Sequence, residues 1–234
     1  MKTGKRKDNS KNLITNIKKS ENGDVYIDNI PMVDQGQKGY CAVAATERVL
    51  KYYGMNVDQN MLAQIANTSN KGTSLKEMEK ALKRAGTTFG VKLQKVDRSF
   101  SKFMKLVKKY NRYARKKKAA QIRTAFTDLD PEVYSEFRLE DARGEAKFFK
   151  LVKTHLAKGI PVMWSVFLGI VPNIPKDPPG SGGHLRLIIG YNDTTKEILY
   201  SDTWGRGHEL KRMTYDQAWI MTTGAFVMPP RKQR

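Results

Sequence analysis

Apolar positions recur at helical spacing through the first half of the chain and alternate or run together as strands do in its last third. Val25, Ile27, Ile30 and Met32 predict a short extended segment that ends in a turn-forming run, Asp34 to Tyr40, with two glycines and two glutamines. Small apolar residues follow (Ala42, Val43, Ala44, Ala45, Val49, Leu50) and predict a helix from Cys41 that stops at Gly54. Asp58 is spaced to cap a second helix, Asn60 to Asn67, with Met61, Leu62 and Ile65 inward. Ser74 and Glu77 have capping-box spacing ahead of a third, with Leu75, Met78, Leu82 and Ala85 on its apolar face and Gly86 at its end. Phe89 to Val96 alternates like a strand. Phe100, Phe103, Met104, Val107, Tyr110 and Ala114 predict a long helix from about Ser99. Residues 127–145 read as acidic and turn-rich, and another helix spans about Glu145 to Lys158.

The pattern then changes. Ile160 to Leu168 is a nearly continuous apolar run, which suits a central strand. A proline-punctuated loop closes with Gly180-Ser181-Gly182-Gly183, and His184 to Tyr191 is the next strand. An Asn192-Asp193 turn joins it to Glu197–Ser201. A short strand over His208 to Lys211, a helical turn over Tyr215 to Ile220 and a closing strand over Ala225 to Met228 complete the chain. Helices first and antiparallel strands second predict an α+β fold, a helical N-terminal half carrying the Cys41 helix packed on a C-terminal antiparallel β-sheet. Residues 1–24 are polar with seven Lys/Arg and predict a basic, flexible arm before a single domain over 25–230.

Charge adds one feature. The chain has 43 Lys+Arg against 23 Asp+Glu, a net charge of +20, and residues 101–123 supply ten Lys/Arg and no acid. The basic helix 99–118, with Tyr110 and Tyr113, suits an anionic partner (nucleic acid or a cell-surface polymer) or, more plainly, a solvated face. The acidic stretch after it is placed to neutralise part of that charge. One cysteine excludes an intramolecular disulfide and a cysteine-cluster metal site. Three histidines scattered over helix, strand and loop give no metal-ligand spacing, and no cofactor motif is present. No apolar run reaches the roughly 18 residues of a membrane span, and no signal peptide is expected. That leaves the cytoplasm, or an extracellular or envelope site after removal of an export segment.

The chemistry centres on Cys41. At a helix N-terminus, unpaired N–H groups and the macrodipole favour an anion, which suits a nucleophilic thiol; a buried structural cysteine is the alternative. His184 opens an apolar strand on the same face as Arg186 and Ile188. A hairpin through Asn192-Asp193 places Asp202 nearly opposite His184, within reach of a carboxylate–imidazole contact. His155, on an apolar helix face, reads as structural and His208 as a rim or surface residue. Gln35 and Gln37 both compete to be a side-chain donor beside the Cys41 N–H. Gly182 and Gly183, and Gly39 with Tyr40 before the cysteine, are candidate cleft walls. Trp204 either shields the His–Asp contact or packs in the core.

The motifs Gln35-Gly36…Gly39-Tyr40-Cys41, Gly182-Gly183-His184 and Asp202-Thr203-Trp204-Gly205 resemble the papain-like cysteine peptidases, and within them the branch of bacteriocin-processing, double-glycine-leader peptidases. The resemblance implies a papain-like fold, a cysteine peptidase acting on a peptide or protein, Cys41 as nucleophile, His184 as base and Asp202 as its orienting group. It selects Gln35 over Gln37 for the oxyanion hole. Residues of about 97–145 do not match the compact leader peptidases and read as a basic helical insertion. Two other functions remain open at this point: a transglutaminase-like acyl transfer and a binding module for an anionic polymer.

Overall fold

The computed structural model describes residues 9–37, 39–66, 75–97, 100–123, 128–171 and 182–230. The expected Ser74 cap, Asn67 and the loop 172–181 lie outside them.

The helical half comes first. α1 (Cys41–Tyr52) is Ala-rich, and everything from Ala42 to Leu50 is buried, so this helix runs through the core rather than over it. α2 (Gln59–Ala66) starts where Asp58 Oδ1 accepts from the backbone N–H of Asn60 at 2.8 Å and Met61 at 3.0 Å, the expected cap. Leu62 is buried, but Met61 is exposed rather than inward. α3 (Leu75–Thr88) runs past Gly86, and the strand expected over 89–96 contracts to β3 (Gln94–Lys95) and an isolated bridge at Val91.

α4 (Phe100–Lys116) is the expected basic helix. The acidic stretch after it is not merely turns. α5 (Pro131–Leu139) forms there, with Asp130 as N-cap and Pro131 in the first turn, where its missing N–H costs nothing. α6 (Ala142–Leu156) follows, capped by Asp141. Val107, Tyr110, Ala114, Leu129, Tyr134, Ile170 and Ile220 belong to a second apolar cluster beside the main core, and Val171 packs against both. Lys117–Glu136 and Tyr113–Glu140 lace one end of the α4–α5 pair, so the acids do meet the basic helix.

Among the described residues the sheet has eight strands. β1 (Ile17–Lys19), β2 (Asp24–Ile27), β4 (Val162–Leu168), β5 (Gly182–Asn192), β6 (Glu197–Ser201), β7 (Lys211–Thr214) and β8 (Thr222–Val227) join β3 in the order β1-β2-β5-β4-β8-β3, with β6 on β5 and β7 on β6. α7 (Tyr215–Met221) links β7 to β8. All pairings are antiparallel. β5 organises the sheet: β4 and then β2 occupy one edge of it and β6 the other. Gly190 lets β2 lie close, because a Cβ there would come within 2.6 Å of the Val25 carbonyl oxygen.

Residues 9–24, expected as part of a flexible arm, are instead ordered. They form a 3-10 segment (Asn9–Asn16) and β1, and Leu13 is buried in the main core. Leu13 packs over Gly159, whose left-handed backbone ends the α6 turn and where a Cβ would meet the Leu13 carbonyl oxygen at 2.2 Å. The sequence pattern hides this because β1 pairs with the neighbouring β2, which is itself held by the distant β5. No helix among the described residues is long and apolar enough to cross a membrane.

Candidate active site

Cys41 is the first residue of α1. Tyr40 is the N-cap, its carbonyl accepting from the Ala44 N–H at 2.8 Å. The Cys41 N–H therefore belongs to the first turn, whose N–H groups lack acceptors within the helix. Cys41 is half-buried, as are Gly39 and Tyr40, while Ala42 to Leu50 are enclosed.

His184 lies on β5 opposite Val166 of β4, and its side chain is almost fully buried. Its Nε2 is 2.5 Å from Asp202 Oδ1, and the Cys41 side chain lies near enough to act on the same ring. Because Nε2 is taken up by Asp202, Nδ1 is the nitrogen left to face the thiol. Burial pulls the imidazole down, but the hydrogen bonds to Asp202 and Cys41 outweigh it and raise the group from 6.5 to about 9.

The expected contact is present, but not in the expected register. The β5–β6 loop is a four-residue turn, Asp193 to Lys196, rather than Asn192-Asp193. Asn192 Oδ1 accepts from the N–H groups of Thr194 and Thr195 and stabilises it, and Lys196 adopts φ 56°. The register also shifts between Ile188 and Gly190. Leu187 faces Ser201 as a result, and Asp202, just past β6, comes level with Arg186. Arg186 Nε donates to Asp202 Oδ2 at 2.7 Å, and His184 reaches the other oxygen diagonally from the same face.

Asp202 is fully satisfied. Its Oδ1 also accepts from the Thr203 N–H at 2.8 Å, and its own N–H donates to the His208 carbonyl at 2.9 Å. Burial pushes the carboxyl up, yet His184, Arg186 and the Thr203 N–H together hold it below its ordinary range. Arg48 of α1 donates to the carbonyl of Asp202 at 2.5 Å, to Ser201 Oγ at 2.6 Å and to the Pro31 carbonyl at 2.8 Å. The helix that carries the thiol is thereby tied to the strand end that carries the carboxylate.

Gln35 is buried and Gln37 is exposed. The Gln35 N–H donates to the Thr203 carbonyl at 2.8 Å, and its side-chain Oε1 accepts from the Thr203 hydroxyl at 2.5 Å. The amide oxygen accepts here, so Nε2 is the donor end of the side chain. Trp204 stacks on His184 with ring centroids 6.0 Å apart and forms a bridge with Asp34. Gly182 and Gly183 pair with Leu168 and Phe167, and a Cβ on either would meet open space. His155 is half-buried on α6, and His208 contributes its backbone to the Asp202 loop.

Cys41, His184, Asp202, Gln35 and Trp204 thus converge, whereas Arg48, Arg186 and Thr203 were not anticipated in the site. Arg186 carried a signal, a lone arginine two residues from His184 within an apolar strand. Thr203 and Arg48 carried none that a sequence pattern reveals. A thiol, an imidazole and a carboxylate in series can perform acyl transfer through a thioester.

Among solved structures, the peptidase domain of Streptococcus ComA, a bifunctional ABC transporter of a quorum-sensing pathway, aligns with 87% of this chain and 100% of its own at 13% identity and a TM-score of 0.45. Xylellain, a cysteine protease from Xylella fastidiosa, aligns with 95% of this chain and 90% of its own at 15% identity and a TM-score of 0.48. No curated protein matches by sequence. A family model, described as Peptidase_C39 like, matches residues 27–226, which span Gln35, the Cys41 helix, the His184 strand and Asp202. The chain belongs to the Peptidase_C39-like family and is a cysteine peptidase.

Proposed function

We propose that Cys41, His184 and Asp202 form the catalytic triad of this cysteine peptidase, with Gln35 as the side-chain donor of its oxyanion hole. The observation that carries the reading is the position of His184, with Asp202 2.5 Å from one ring nitrogen and the Cys41 side chain near enough to act on the same ring. The Cys41 thiol gives its proton to His184, and Sγ attacks the carbonyl carbon of the substrate peptide. The oxyanion that forms accepts from Gln35 Nε2 and the Cys41 N–H. His184 then protonates the leaving amine and the C–N bond breaks, leaving a thioester. Water attacks the thioester with His184 as base, and the acid departs as the thiol is restored. Asp202 keeps the imidazole aligned through both steps, and Trp204 limits access of water to the His–Asp contact.

The test uses the lone cysteine. The wild-type chain is incubated with a mixed peptide library and cleavage is read by mass spectrometry, alongside Cys41→Ala. In parallel, iodoacetamide labelling of the wild type is timed against His184→Ala. The expected outcome is no cleavage by Cys41→Ala with the fold retained, and slower labelling of His184→Ala. Unchanged cleavage by Cys41→Ala would sink the assignment.

A further inference from the structure

A groove of about 510 Å3 lies between α4 and α5 and belongs to no part of the catalytic arrangement. Lys102, Lys105 and Lys109 line one wall, spaced three and four residues apart so that they share a helix face. Leu106 and Phe137, both half-buried, line the groove with them. The two acids at the groove are already engaged: Glu140 accepts from the Tyr113 hydroxyl at 2.7 Å, and Asp141 caps α6 through the Gly144 N–H at 3.0 Å. Among the described residues, none of the three lysines has an ion-pair partner, whereas Lys117 at the other end of α4 is paired with Glu136. The helix pair is laced shut at one end and presents a concave, cationic surface with apolar lining at the other.

The groove is built onto the body that carries the active site. The α4–α5 cluster buries Ile170 and packs against Phe167, and Phe167 follows the Val166 that pairs with His184. The aromatics that would let a basic helix hold bases are committed elsewhere. Tyr110 is fully buried, and Tyr113 is hydrogen-bonded to Glu140 and covered by Lys117. The lysines outnumber the two acids of the groove, and this net positive charge beside Leu106 and Phe137 complements carboxylates interspersed with apolar side chains.

We propose that this groove is a secondary substrate site that holds an acidic, leucine-type apolar segment of the polypeptide away from the bond that is cut. The assignment rests on the peptidase reading above. The groove contributes affinity and selection of substrate, and the chemistry stays at Cys41.

The experiment measures fluorescence anisotropy on full-length Cys41→Ala protein, which leaves the probes uncut. The probes are a short labelled peptide of interspersed Glu and Leu, its Gln-for-Glu counterpart, an all-Glu peptide of equal length and a single-stranded oligonucleotide. The Glu/Leu peptide should bind tightest, weaken with added salt, and lose on the order of tenfold in affinity with Lys105→Glu/Lys109→Glu. Leu106→Gln should erase its advantage over the all-Glu peptide. Equal binding of the Gln counterpart, no effect of the double lysine substitution, or tighter groove-dependent binding of the oligonucleotide would each overturn the proposal. Iodoacetamide labelling of Cys41 in Lys105→Glu/Lys109→Glu protein should match the wild type. A failed triad shows in the His184→Ala labelling and a failed groove in the anisotropy, so the two are told apart.

Discussion

Arg186 and His184 share the Asp202 carboxylate, Arg186 Nε on Oδ2 at 2.7 Å and His184 Nε2 on Oδ1 at 2.5 Å. All three side chains are buried. Removing the guanidinium takes away one of the two cationic side chains bonded to the carboxylate, in a place that water does not reach. Arg186→Met should therefore destabilise the protein by about 3–5 kcal/mol, the usual cost of breaking a buried pair. Chemical denaturation checks this, and a loss under about 1 kcal/mol would mean that the pair is dispensable.

Stability should depend on pH through the same residues. The folded protein holds the His184 proton more tightly than the unfolded chain does, so this contribution is complete below pH 6.5 and is lost as pH rises through about 9. Asp202 is lowered, so its contribution is present above the ordinary carboxylate value of 3.8 and is lost as pH falls through the lower folded value. Urea midpoints at neutral and alkaline pH, in wild type and His184→Gln, test the first half. The wild type should weaken more steeply on the alkaline side, and parallel profiles would contradict the linkage.

Thr203 fixes which end of the Gln35 amide can donate. Thr203→Val keeps the volume but removes the hydroxyl that donates to the buried amide oxygen, at a cost of about 1–3 kcal/mol in stability. It also frees the amide to turn. Turnover should fall about tenfold with the Michaelis constant little changed, because the lost interaction belongs to the transition state. Thr203→Ser should recover most of the loss, and in a Gln35→Ala background Thr203→Val should add little. Equal losses in both backgrounds would show that Thr203 acts independently of Gln35.

Local signals made part of this molecule legible. The run of small residues after Cys41 gave α1 its start and end, and the apolar strand beginning at His184 followed by Glu197–Ser201 gave the hairpin that brings Asp202 near. Register was not legible, because it depends on Asn192 closing a four-residue turn and on a bulge, neither of which an alternation pattern encodes. The contact survived the error because Asp202 lies past the strand end and reaches back along one face. Residues 9–24 looked too polar to fold, since β1 is held by β2, which is anchored on β5 more than a hundred residues away, and Leu13 packs against the equally distant Gly159. For α5 the fault was in the reading, as Asp130-Pro131 is an N-terminal helix signal that acidic composition obscured. Gln35 and Gln37 could not be separated by spacing, because only tertiary burial distinguishes them.

Asp202, Thr203 and Trp204 are consecutive, yet they attend to His184, to Gln35 and to the cover over the imidazole respectively. Three tolerances are thus written into a single short path of backbone. Loss of one residue between Ser201 and Gly205 would disturb all of them at once, so a shortened loop does not yield a half-working intermediate. Variation there is confined to exchanging side chains at constant length, and the length of this segment is the least negotiable dimension of the site.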